Sequence, residues 1–150
     1  MKYISQKQNK EITIHLTNID NENEYQAQAI ADNGDIMGSI SFLIKRKDRL
    51  VWLRKIETRP EYQHQGVGQA LLDTLEYFTI QKRLCMIEGK FYPDNEFARP
   101  FYIKNNYSID KDGYDTFISK YLSHDKVTET LKDRFVDFEI LPAKELDKEL

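Results

Sequence analysis

Residues 50–80, LVWLRKIETRPEYQHQGVGQALLDTLEYFTI, constrain the fold most, because they dictate a strand, a sharp loop and a helix in that order. Val51, Trp52, Leu53 and Ile56 form an apolar, β-prone run. Pro60 cannot donate to a central ladder and biases Arg59 away from helix, which ends the strand there. Val67, Leu71, Leu75 and Phe78 then recur at spacings of four, four and three, the apolar stripe of an amphipathic helix.

The spacing Gln63-x-x-Gly66-x-Gly68 leaves two positions without a Cβ where that helix begins. A glycine inside a helical turn costs roughly 1 kcal/mol relative to alanine, so the pair requires a reason. One reason is a ligand lying against the backbone. Unpaired N–H groups and the positive end of the helix dipole make an anion site, which a diphosphate fits. The other is a tight strand-to-helix turn that holds no ligand. A P-loop would place Lys-Ser/Thr after a glycine, yet Val67 follows Gly66 and Gln69 follows Gly68. A dinucleotide-binding turn lacks its third glycine.

The block IETRPEYQHQGVGQALL, with Gln63, Gly66 and Gly68, resembles the acyl-CoA-binding core of the GNAT N-acetyltransferase superfamily, Arg/Gln-x-x-Gly-x-Gly/Ala after a strand. A second block, NEFARPFYIKNNY at 95–107, resembles that family's Asn-x-x-Ala-x-x-Phe-Tyr segment. The resemblance spans about 35–122 and implies an α/β, GNAT-like acyl-CoA N-acyltransferase fold. Such a fold has a mixed, mostly antiparallel sheet with helices on both faces. The two strands flanking the glycine helix would splay to admit the pantetheine arm. Acetyl-CoA is the implied co-substrate, without a metal. Its diphosphate would rest on the backbone of Gln65, Gly66, Val67, Gly68 and Gln69, in a loop shared with Gln63 and His64. Ile56 and Thr58 would offer the strand edge that pairs with pantetheine, and Asn95 and Tyr102 would also meet the coenzyme.

The same resemblance makes Tyr102 the donor to the departing thiolate. Its ordinary pKa near 10 keeps it protonated at neutral pH. Glu88 is the base, with Glu57 or a chain of ordered waters as alternatives. Each has a plain structural reading too: core packing for Ile56 and Tyr102, a helix cap for Asn95, solvated carboxylates for Glu57 and Glu88.

Elsewhere the chain reads as an antiparallel meander. Polar residues 2–10 are expected to fray, and Ile12, Ile14 and Leu16 alternate as a half-buried strand. Strands follow at 25–31 and 36–44 around the turn Asp32-Asn33-Gly34-Asp35. GNAT proteins place two helices between their first two strands; residues 18–24 leave no room for them, so that pair is reduced. A fifth strand is expected at 84–89, parallel to the one before the glycine helix. A helix in which Pro100 removes one internal hydrogen bond, closed by Asn105-Asn106, follows, then a hairpin around Asp112-Gly113. In the tail, Val127, Leu131 and Phe135 suggest a helix capped by Ser123 or Asp125, and 135–141 a strand stopped by Pro142. This extension would fill the space of the reduced helices, exchange across a homodimer, or lie on the surface.

At 150 residues and 17.8 kDa the chain is expected to be one domain, with a core at about 11–122 and an extension at 123–150. A net charge of −3 argues against nucleic-acid binding, and no apolar run is long enough to span a membrane. With no apolar leader at the start, a cytoplasmic protein is expected. Cys85, the single cysteine, lies in the apolar run Leu84-Cys85-Met86-Ile87 and reads as buried. His15, His64 and His124 stand apart, which disfavours a metal site. The sequence therefore points to an acetyl-CoA-dependent N-acetyltransferase in which a primary amine, carried by a small molecule or peptide, attacks the acetyl group directly. The competing reading is a non-catalytic acyl-CoA sensor.

Overall fold

A computed structural model describes residues 1–20, 23–92 and 94–136. The strands are β1 (Lys2–Ser5), β2 (Lys10–Asp20), β3 (Glu24–Ile30), β4 (Ile36–Lys45), β5 (Leu50–Thr58), β6 (Met86–Phe91), β7 (Ser108–Asp112), β8 (Asp115–Tyr121) and β9 (Phe135–Val136). The helices are α1 (Val67–Gln81), α2 (Ala98–Lys104) and α3 (His124–Leu131). The strands form one sheet in the order β7-β8-β6-β5-β4-β3-β2-β1-β9. Among the described residues only β5 and β6 run parallel, joined through α1.

Turn chemistry sets the meander. Asn33 Oδ1 accepts from Asp35 N at 2.9 Å, and Gly34 at φ 91° reverses the chain between β3 and β4. Gly113, at φ 64°, does the same between β7 and β8. β2 and β3 are antiparallel neighbours, and only residues 21–23 separate them in sequence, too few for a helix pair.

Side-chain alternation assigns one sheet face to the core. Phe42 on β4 meets Phe78 of α1 with ring centroids 4.9 Å apart, and Ile40 and Ile44 share that face. Lys120 on β8 reaches Glu76 of α1, and Phe91 on β6 packs on Tyr102 of α2 at 5.6 Å. Phe135 after α3 packs on Tyr77 of α1 at 4.8 Å. Among the described residues, all three helices thus lie on this one face. The opposite face presents a mostly polar set among the described residues, including Gln26, Gln28, Ser39 and Ser41.

The apolar stripe of α1 is buried as its spacing predicts, but burial goes further. Every residue from Ala70 to Ile80 is buried, Asp73 and Glu76 included, with the sheet on one side and α3 packed on α1. Both carboxylates are paired, as burial demands.

Four local expectations are corrected. Residues 2–5 are not frayed: Tyr3 is 2% exposed, and its hydroxyl donates to Asp73 Oδ2 at 2.6 Å. Cys85 is exposed rather than buried. Arg83 turns at φ 59° and Leu84 N donates to Thr79 O at 3.0 Å, so the chain is still leaving α1 there and β6 starts only at Met86. Pro100 removes no internal hydrogen bond, because α2 begins at Ala98 and places it in the first turn, where an N–H has no intrahelical acceptor.

Other expectations hold. Asn106 takes the left-handed conformation at φ 67° after α2, and Ser123 caps α3 by accepting from Lys126 N. Of the expected strand at 135–141, β9 accounts for Phe135 and Val136; the rest lies outside the described residues.

Candidate active site

A fork in the sheet is the centre of the site. Val51, Trp52 and Leu53 pair with Ile87, Glu88 and Gly89, and there the ladder between β5 and β6 ends. β5 continues to Thr58 on β4, while Lys90 and Phe91 stay with β8. The expected splay is present. Gly89 sits at its apex, where an added Cβ would come 3.0 Å from Leu53 O. On the other strand, Ser41 faces Lys55 and Phe42 faces Leu53, which leaves Arg54 as a bulged residue. A bulge re-aims the backbone of its strand, here at the fork itself.

Beyond the fork, β5 leads through a 3-10 turn (Pro60–Tyr62) into the glycine loop. Gly66 takes φ 82° at the N-cap of α1, with no side chain capping the helix and no acidic residue in its first turn. The first N–H of this helix with a backbone acceptor is that of Ala70, which donates to Gly66 O at 3.0 Å. The N–H groups of Val67, Gly68 and Gln69 precede it and have no intrahelical partner. A fifteen-residue helix therefore ends in bare donors and an uncompensated positive dipole.

The two glycines have different causes. At Gly66 an added Cβ would lie 2.7 Å from Ser5 Oγ, so fold geometry alone requires glycine. At Gly68 the nearest atoms would be Phe101 Cε1 at 3.7 Å and Thr58 Oγ1 at 3.8 Å, ordinary contacts. The fold leaves space over Gly68.

The remaining predicted residues distribute around the fork. Ile56 and Thr58 pair with Ile40 and Gly38 on β4, on the stretch of β5 that β6 has left. Gln63 and His64 are exposed, and His64 holds φ 65°. Gln65 Nε2 donates to Glu61 O at 3.3 Å. Gln69 Nε2 donates to Asp73 Oδ1 at 3.0 Å and Asn105 Oδ1 at 2.7 Å, tying α1 to the end of α2; its Oε1 is buried without a partner. Asn95 Oδ1 accepts from Phe97 N and Ala98 N, both at 3.2 Å, so it caps the turn into α2.

Tyr102 is 4% exposed, between Phe91 and Phe101 and edge-on to Tyr107 at 5.7 Å. Burial pushes its phenol up to about 12, which keeps it a proton donor. Glu88 alternates with the buried Ile87 and Gly89, so it projects from the sheet face opposite the helices. Glu57 is exposed on β5 and pairs with Lys55 at 3.4 Å. The two expected catalytic groups thus flank the fork from opposite faces. Among the described residues no group of three His, Cys, Asp or Glu side chains could hold a metal.

A polar cluster behind Tyr102 gave little sequence signal. Tyr107 donates to Glu76 Oε2 at 3.0 Å, and Lys120 Nζ reaches Glu76 Oε1 at 2.9 Å. Burial raises the Glu76 carboxyl above its usual range against the opposing pull of Lys120. The Arg54 bulge did leave a trace: the adjacent charges Arg54-Lys55 break the alternation of β5.

Comparison with known proteins agrees with this geometry. The sequence model of the acetyltransferase (GNAT) family matches residues 3–107. The fold is similar to PaiA N-acetyltransferase from Thermoplasma acidophilum, solved in complex with coenzyme A: TM-score 0.61, 25% identity, 67% of this chain and 62% of that one. It is similar to a GNAT-family acetyltransferase from Staphylococcus aureus Mu50: TM-score 0.61, 19% identity, 67% and 68% covered. A candidate streptothricin acetyltransferase from Bacillus anthracis, solved with acetyl coenzyme A, gives TM-score 0.59 at 20% identity, with 69% and 64% covered. The chain spans less than two thirds of the first and third of these structures. The match covers well over half of the chain, and the chain belongs to the GNAT acetyltransferase family.

Proposed function

We propose that this protein transfers an acetyl group from acetyl-CoA to a primary amine by direct attack. The observation that carries the reading is the bare, uncapped start of α1 beside the fork between β5 and β6. Backbone N–H groups of Gln65, Gly66, Val67, Gly68 and Gln69 would hold the diphosphate, with the open space over Gly68 letting it approach. The edge of β5 at Ile56 and Thr58 would pair with the pantetheine amides as an added strand. Asn95, which already caps the turn into α2, would approach the coenzyme from the other side of the fork.

In the reaction the amine nitrogen bonds to the thioester carbonyl carbon, and the C–S bond then breaks. Tyr102 would donate to the leaving sulfur as the C–S bond breaks; burial keeps its phenol protonated at neutral pH, ready for that role. The proton lost by the amine would pass to Glu88, Glu57 or water. A backbone N–H of β5 past the Arg54 bulge would hold the developing oxyanion, and positioning supplies much of the rate. The polar sheet face opposite the helices gives the acceptor its approach to Glu88.

The test is thiol release from acetyl-CoA across a panel of small amines and peptides with free amino termini or lysines. Amine-dependent release supports the transferase. Tight coenzyme binding with no release on any amine supports a sensor.

A further inference from the structure

The first ten residues, which the sequence alone leaves as a loose end, pack directly against the glycine loop. Ser5 is 3% exposed, and its Oγ lies only 2.7 Å from where a Cβ on Gly66 would stand. The same oxygen accepts from Gln8 N at 3.3 Å, which closes the turn between β1 and β2. That closure carries the Gln8 side chain to the loop, where Nε2 donates to His64 O at 3.4 Å. Two residues before Ser5 on the same strand, the Tyr3 hydroxyl donates to Asp73 in the second turn of α1. The hairpin therefore grips the loop on one side and the helix that follows it on the other.

The loop has reason to need a grip. His64 and Gly66 both hold left-handed backbone, at φ 65° and 82°. For His64, an L-residue with a Cβ, that conformation is costly unless its surroundings enforce it. The direction of the N–H groups that follow depends on those two residues.

We infer that the β1–β2 hairpin is a working part of the coenzyme site, with Gln8 and Ser5 as positioning residues that hold the loop in its anion-binding shape. This rests on the coenzyme reading above. Neither residue touches the reacting atoms, so their loss weakens coenzyme binding and leaves the chemical step alone.

The experiment titrates coenzyme A into wild type, Gln8→Ala and Ser5→Val, with steady-state kinetics and ligand-free melting on the same samples. Gln8 is exposed, so its variant folds normally. Loss of its hydrogen bond is expected to raise the Kd of coenzyme A and the KM of acetyl-CoA together, by about threefold to tenfold, with kcat and the ligand-free Tm unchanged. Ser5→Val drives a branched side chain into Gly66 and should raise Kd by more. A wild type that binds coenzyme A, with both variants binding it equally well, overturns the inference and spares the coenzyme site. A wild type that binds none removes both.

Discussion

Gly66 and Gly68 look equivalent in sequence, yet alanine at each should move stability in opposite directions. At Gly66, φ 82° costs an L-residue about 1–2 kcal/mol. The new methyl would also lie 2.7 Å from Ser5 Oγ, a buried atom already engaged with Gln8. Overpacking of this kind adds about 1–2 kcal/mol. A total of about 2–4 kcal/mol lowers Tm by roughly 5–15 °C for a domain of this size. At Gly68 the methyl meets only ordinary contacts, at 3.7 and 3.8 Å. Gly68→Ala should therefore stabilise by about 0.4–1 kcal/mol, through better helix propensity and a less flexible unfolded chain. Ligand-free melting followed by circular dichroism reads both. Equal shifts of the same sign would refute the assignment of Gly66 to the fold and Gly68 to the ligand.

Tyr102→Phe should cut kcat by at least about a hundredfold if Tyr102 protonates the thiolate. With its phenol near 12, wild-type kcat should show no fall from this group up to about pH 10. A falling limb below that pH, lost in Tyr102→Phe, would contradict the assigned environment. Burial raises Glu76 above its ordinary 4.5, so the folded state holds this proton more tightly than the unfolded state. Its contribution is full below pH 4.5 and is lost as pH rises through the folded pKa. Glu76→Gln should therefore flatten the decline of Tm just above pH 4.5, and parallel curves for the two proteins would show no such coupling. Exposed Cys85 should react with a disulfide reagent in the native protein within the mixing time of a bench assay, whereas a thiol released only on unfolding would contradict its position.

How much of this was legible in the sequence follows from what encodes each part. The glycine helix, the meander and the final hairpin are local: periodicity, turn residues and caps specify them. The fork was legible only through the family resemblance, since parallel pairing that stops at Leu53 leaves no pattern on either strand. β1 was missed because 2–10 offers little apolar signal, while the contact that anchors Tyr3 lies 70 residues away at Asp73. Cys85 misled because the run Leu84 to Ile87 is apolar throughout, yet helix exit, not hydrophobicity, sets where β6 starts. The buried Glu76–Lys120–Tyr107 cluster joins α1, β8 and the start of β7, a meeting that only tertiary structure brings about. Of the candidate site residues, the loop and Tyr102 were readable as a motif. The separation of Glu88 and Tyr102 onto opposite sides of the fork was not.

The most direct test of the central claim is thermal unfolding with acetyl-CoA, coenzyme A or ATP, each in large excess. At about a hundred times its dissociation constant a ligand adds roughly 2.7 kcal/mol to stability. For this domain that is on the order of 5–10 °C in Tm. The account predicts a rise of that size with both forms of coenzyme A and none with ATP. No shift with either coenzyme form would reduce the glycine loop to a tight turn and contradict the account.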